Sequence, residues 1–80
     1  MLKDLHLGKK VVGIKQLRKA VQQGQIAEAF FALNADPMLI DPLRTLCEET
    51  GTAFADVPTM AELGQACGIS VGAAAAGLLK

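Results

Sequence analysis

Tryptophan and tyrosine are absent from this 80-residue chain, and its only aromatic residues are Phe30, Phe31 and Phe54. All three fall in strand-like apolar runs. No row of exposed rings is therefore expected for stacking single-stranded bases, nor the aromatic sheet of an RRM. The single histidine, His6, lies in the N-terminal segment and reads as a surface residue rather than a general base. Cys47 and Cys67 stand far apart, with no second pair and no histidine nearby. That spacing excludes the common zinc motifs and the C-x-x-C redox pair, and both apolar helical contexts read as packing.

No apolar run approaches the roughly 20 residues of a membrane helix. No basic-then-apolar signal segment opens the chain, so a soluble cytoplasmic protein is expected. Catalytic patterns are missing too: there is no G-x-S-x-G, no H-E-x-x-H and no pair of carboxylates around a plausible pocket. Gly8-Lys9-Lys10 and Gly13 do not make the phosphate loop G-x-x-x-x-G-K-[ST]. The expectation is a protein that is not an enzyme, with no cofactor, no metal and no small-molecule substrate.

With 51% apolar and 20% charged residues, the chain is too hydrophobic for intrinsic disorder. Its length fits one small domain over residues 1–80. Three helical stretches are each followed by a glycine, the residue that takes a left-handed C′ position most cheaply. The first spans about Ile14 to Gln23, with Ile14, Leu17 and Val21 on one apolar side, and stops at Gly24. The second ends before Gly51. Two Asp-Pro pairs, Asp36-Pro37 and Asp41-Pro42, mark its beginning, and the residue before proline resists the α conformation. They predict a turn over Pro37–Ile40 and a main helix from Pro42. The third begins at Thr59, where Thr59 and Glu62 fit a capping box, and ends before Gly68.

Strand-like runs lie between the helices, at Lys10–Val12, Ile26–Leu33 and Thr52–Val57. Propensity leaves the tail Val71–Leu79 open, because its alanines favour helix while Gly72 and Gly77 oppose it. The alternation implies an α/β fold, a three-layer α/β/α sandwich with a small mixed sheet.

The formal charge is zero, yet it is unevenly spread. Residues 1–19 carry six of the eight basic side chains and Asp4 as their sole acid, while residues 20–80 carry two bases and seven acids. From Gly13 to Gly24 there is no Asp or Glu. Lys15 and Lys19 form an i,i+4 like-charge pair and Lys15 and Arg18 an i,i+3 pair, each costing a few tenths of a kcal/mol. They also sit where the helix dipole penalises cations by roughly 0.3–1 kcal/mol. Two readings remain open: a site awaiting an external anion, with Gly13 allowing close approach to free N–H groups, or an incidental basic face neutralised elsewhere in the fold. Residues 1–9 read as a solvated end.

Val12-Gly13-Ile14-Lys15-Gln16 with Lys19, then Asn34-Ala35-Asp36-Pro37, then the stretch from Leu63-Gly64-Gln65-Ala66-Cys67-Gly68-Ile69 to Ala75 resemble the kink-turn-binding ribosomal protein family (ribosomal protein L seven Ae and relatives). The likeness runs from about Lys10 to Leu79 and is nearest to the short bacterial ribosome-associated type. It implies that the tail is a strand of a four-stranded sheet and that the partner is a folded RNA containing a kink-turn, with no membrane. It further implies that the protein stabilises the bent RNA; a monomer is the expected state, although the sequence leaves the oligomeric state open. In the family, the segment matching Gly13, Ile14, Lys15, Gln16 and Lys19 enters the widened groove. Lys15 and Gln16 would there donate to guanine O6 and N7, and Lys19 would support that region or a phosphate. Ile69, Val71, Gly72 and Ala73 match the loop that covers bulge bases. Asp36 matches an acid near the flipped-out nucleotide in some members, and the N-cap before Pro37 is the competing role. Three positions depart from the pattern: Ile14 stands where many members have Thr or Ala, Ser70 where an acid is common, and Met60 where some are basic. A protein-interaction module of the same fold, using apolar patches around Val71–Leu79, is the alternative reading.

Overall fold

The computed structural model describes residues 8–80. His6 and most of the solvated-end expectation fall outside them. In chain order the elements are β1 (Lys10–Val12), α1 (Ile14–Gln22), β2 (Ile26–Ala32), α2 (Pro37–Thr50), β3 (Phe54–Val57), α3 (Met60–Cys67) and β4 (Ala75–Leu79). The sheet order is β1-β4-β2-β3. β4 runs antiparallel to both of its neighbours, while β2 and β3 are parallel, so the sheet is mixed. Gly24, Gly51 and Gly68 follow the three helices with φ between 69° and 79°.

The register sorts the sheet into two faces. Val11, Gly77 and Ala29 share one row, and Ala75 and Phe31 another on the same side. A Cβ on Gly77 would come within 2.6 Å of Leu17 Cδ1, so α1 lies directly on that side. α2 packs beside α1, and its Arg44 guanidinium sits 5.3 Å from the Phe31 ring centre. The opposite face carries Val12, Ala76 and Phe30 under α3, completing the three-layer α/β/α arrangement. Phe30, Phe31, Leu17, Leu43, Leu63, Val21, Val57 and Cys47 are fully buried between the layers. Burying side chains of this size contributes about 1.5–3 kcal/mol each.

The second helix corrects the sequence expectation. It is continuous from Pro37, with Pro42 inside it and no turn over Pro37–Ile40. Asp36 Oδ1 accepts the Met38 N–H at 2.9 Å, and Pro37 occupies the first helical position, where no N–H is needed. Pro42 removes one donor, but its surroundings, Met38 and Asp41, are solvent-exposed, so water can serve the freed carbonyl. Ile40, Leu43 and Cys47, at helical spacing, bury one continuous stripe that spans the proline. The Thr59 half of the expected capping box is present, with Thr59 Oγ accepting the Glu62 N–H at 3.1 Å.

α3 sits very close to the segment that leads into β4. A Cβ on Gly64 would lie 2.0 Å from the Val71 carbonyl oxygen, so no side chain fits there. The last chain segment, open on propensity alone, is therefore a loop from Ile69 to Ala74, pressed onto α3, followed by a strand. Among the described residues, no helix is long and apolar enough to cross a membrane.

Candidate nucleic-acid interface

The sheet order brings four connections to one end of the molecule. β1 ends there at Gly13, β2 at Leu33–Asp36 and β3 at Pro58–Thr59, while β4 begins there after the Ile69–Ala74 loop. Backbone hydrogen bonds lock them together: Gly13 N–H to Ala75 O at 2.9 Å, Ala32 N–H to Ala74 O at 2.9 Å, and Leu33 N–H to Val57 O at 2.8 Å. Of the site residues expected from the sequence, all but Lys19 lie on this rim or in the first turn of α1; Lys19 stands in the last turn of this nine-residue helix, where the dipole favours a cation rather than penalising it.

α1 starts without a cap. Gly13 adopts φ 110°, ψ 156°, and makes no side-chain capping bond. This backbone conformation belongs almost entirely to glycine. The first helical turn contains no acid, so its leading N–H groups meet a rim of positive side chains. Lys15, Gln16, Arg18 and Lys19 are all exposed, and Ile14 is half-buried. Gln16 folds back towards the turn, with its Oε1 2.7 Å from where a Gly13 Cβ would stand. Leu17, Ala20 and Val21 face inward.

The ion pairs among the described residues bear on the open question of neutralisation. Among the described residues no carboxylate pairs with Lys15, Arg18 or Lys19. An ion pair joins Arg44 on α2 to Asp56 on β3, beside the Phe31 and Phe54 rings. One of the two basic side chains outside the N-terminal quarter is thus occupied internally, while the α1 cations face solvent. A lysine-rich helix start with free N–H donors can receive phosphate oxygens and the acceptor edges of purines.

The loop supplies a different surface. Val71 is 68% exposed and Gly72 is exposed, whereas Ile69 is half-buried. Ala73 is turned inward at 5% exposure, and its N–H is already donated to Met60 O at 3.0 Å. Gly72 also serves the interior, because a Cβ there would lie 3.1 Å from the Met60 Cβ. Asp36 is exposed and occupied as the α2 cap through Oδ1.

Three exposed apolar residues, Leu33, Met38 and Leu39, extend this rim towards α2. No local signal marks them, since an apolar residue at the end of a strand or in a first helical turn reads as core. By contrast, the stretch Val71–Leu79 is no apolar patch. Within it β4 is paired on both sides, and Val71, in the loop before β4, is the large exposed hydrophobic residue. Among the described residues no group of His, Cys, Asp and Glu is placed to hold a metal ion.

The profile of the "Ribosomal protein L7Ae/L30e/S12e/Gadd45 family" matches residues 2–80. An RNA-binding protein of Geobacillus sp. (strain WCH70) is 40% identical over 78 residues, covering 98% of this chain and 95% of the relative. The large ribosomal subunit protein eL8 of Nitrosopumilus maritimus is 38% identical over 73 residues, covering 90% of this chain and 57% of that protein. Among solved structures, a 15.5kD RNA binding protein of Giardia lamblia superposes with a TM-score of 0.92 at 26% identity, over 99% of this chain and 70% of its own.

Proposed function

This chain belongs to the ribosomal protein L7Ae/L30e/S12e/Gadd45 family, and on that premise we propose that it is a non-catalytic, single-domain RNA-binding protein. The RNA it takes is a kink-turn, which it holds in the bent form. The observation that carries this reading is the uncapped, acid-free start of α1, where Lys15 and Gln16 stand exposed, joined through Gly13 and Ala75 to the apolar Val71 loop, with Lys19 exposed further along the same helix. The two surfaces suit two parts of such an RNA. Lys15 and Gln16 can donate to guanine O6 and N7 in the groove, and Val71 can cover an unstacked base. Binding only the bent form shifts the RNA towards it by the difference in affinity between the two shapes. The protein acts as a cytoplasmic monomer associated with the ribosome.

A gel-shift titration of the full chain against a kink-turn duplex tests this, alongside a duplex in which the tandem sheared G·A pairs are replaced by Watson–Crick pairs. The expected preference for the kink-turn is at least about tenfold, equivalent to 1.4 kcal/mol. Equal affinity for the two duplexes overturns the reading.

The exposed apolar residues Leu33, Met38, Leu39 and Val71 favour a second reading, in which the rim receives a protein. Co-purification of a protein that survives RNase treatment, with no kink-turn preference, would identify it.

A further inference from the structure

We propose that Asn34 is a positioning residue that sets the apolar loop at the height needed to cover an RNA base, acting through Met60 rather than by touching RNA. Asn34 is exposed, on the connection between β2 and α2. Its Oδ1 accepts the Met60 N–H at 2.8 Å, across 26 positions of sequence. Thr59 Oγ already serves the Glu62 N–H of the same helical turn, so Asn34 provides α3 with a second, distant cap.

Met60 passes this restraint on. Its carbonyl oxygen accepts the Ala73 N–H at 3.0 Å, and its Cβ is the nearest atom to the space beside Gly72. From the other side the Val71 carbonyl rests against Gly64. The loop is thus clamped between the first turn and the middle of α3, and the first turn is tied to the β2–α2 connection by one side chain. Asn34 and Met60 are both accessible enough that water can replace a lost bond, so removing Oδ1 frees the loop without emptying the core. Only an acceptor at this position is required, and a carboxylate supplies one.

This role presupposes RNA binding at the rim, and the test separates the two. In the free full-length chain, amide hydrogen exchange is measured for Ala73 and Met60. Asn34→Ala is expected to lower protection at both by about tenfold while leaving the urea midpoint nearly unchanged, and Asn34→Asp to restore it. With the kink-turn duplex, a double-mutant cycle pairs Asn34→Ala with Val71→Ala and, separately, with Lys15→Ala. Coupling of about tenfold is expected with Val71→Ala and none with Lys15→Ala. Unchanged Ala73 protection in Asn34→Ala overturns the proposal, as does failure of Asn34→Asp to restore it, or an affinity loss that is additive with Val71→Ala. If the wild-type chain shows no kink-turn preference, the functional reading falls, and the exchange data alone decide whether Asn34 holds the loop.

Discussion

The Gly13 N–H donates to the Ala75 carbonyl at 2.9 Å, joining the residue that opens helix α1 to the first residue of the central strand β4. Through that bond the basic helix start and the apolar loop form one surface, although Gly13 and Ala75 stand 62 positions apart in sequence. Rigid backbone under both parts means that a ligand meets a preformed arrangement, which limits the entropy lost on binding.

Lys15 and Gln16 are exposed and make no contact on which the core depends. Lys15→Ala and Gln16→Ala are each expected to weaken kink-turn binding by about 1–3 kcal/mol. Urea unfolding midpoints of both variants should stay at or slightly above the wild-type value, because Lys15→Ala relieves a like-charge pair and a dipole clash.

Lys19 lies one turn further from the helix start. If it meets a phosphate, Lys19→Ala lowers affinity evenly across RNA sequences and reduces the slope of log affinity against log salt by about one. Binding isotherms at a series of potassium chloride concentrations give that slope directly.

Gly13→Ala places a side chain on a backbone conformation reserved for glycine and against the Gln16 amide. A stability loss of about 1–3 kcal/mol is expected from the backbone alone. RNA affinity should fall further than stability does, since Gln16 is displaced at the same time. Chemical denaturation and titration of the same preparation separate the two effects.

Asp36 can act as a cap, as an RNA contact, or as both. Asp36→Ala is expected to cost about 1 kcal/mol of stability, and Asp36→Asn to cost little, because asparagine caps equally well. A drop in RNA affinity for Asp36→Asn with stability intact would assign the charge to the RNA. Equal affinity would leave Asp36 as a cap.

Burial pushes both cysteine thiols above their usual range; Glu48 adds to the effect at Cys47, while Lys10 opposes it at Cys67. The unfolded chain therefore loses its thiol protons first. The stability these neutral thiols contribute is complete below the unfolded thiol range, about 8.5, and is lost as pH rises through the higher folded values. Urea midpoints measured from pH 7 to pH 10 should decline, and less steeply when both cysteines are alanine. In the native protein neither thiol should react with a water-soluble disulfide reagent.

What the chain declared openly was punctuation. Thr59, Gly24, Gly51 and Gly68 mark the ends of elements through their own backbone preferences, and those boundaries agree with the structure to within a residue or two. Pro42 misled because local sterics favour a break there, whereas the buried stripe of Ile40, Leu43 and Cys47 rewards an unbroken helix. The tail was ambiguous because alanine suits helix locally, and it becomes a strand through pairing with two distant partners. At the candidate interface, the charge pattern of α1 could be read along the chain because its neighbours are three and four residues away. The link from Asn34 to Met60, the inward turn of Ala73 and the exposure of Leu33, Met38 and Leu39 depend on segments far apart in sequence, and no local pattern encodes them.

Because β4 is inserted between β1 and β2, the sheet has a gap at its middle until β4 arrives. A chain still being synthesised cannot hold its early lysines and its late apolar loop side by side. Competence to grip a ligand thus waits on β4, and a shortened product that ends before Ala75 would be unable to sequester RNA from chains that carry the strand.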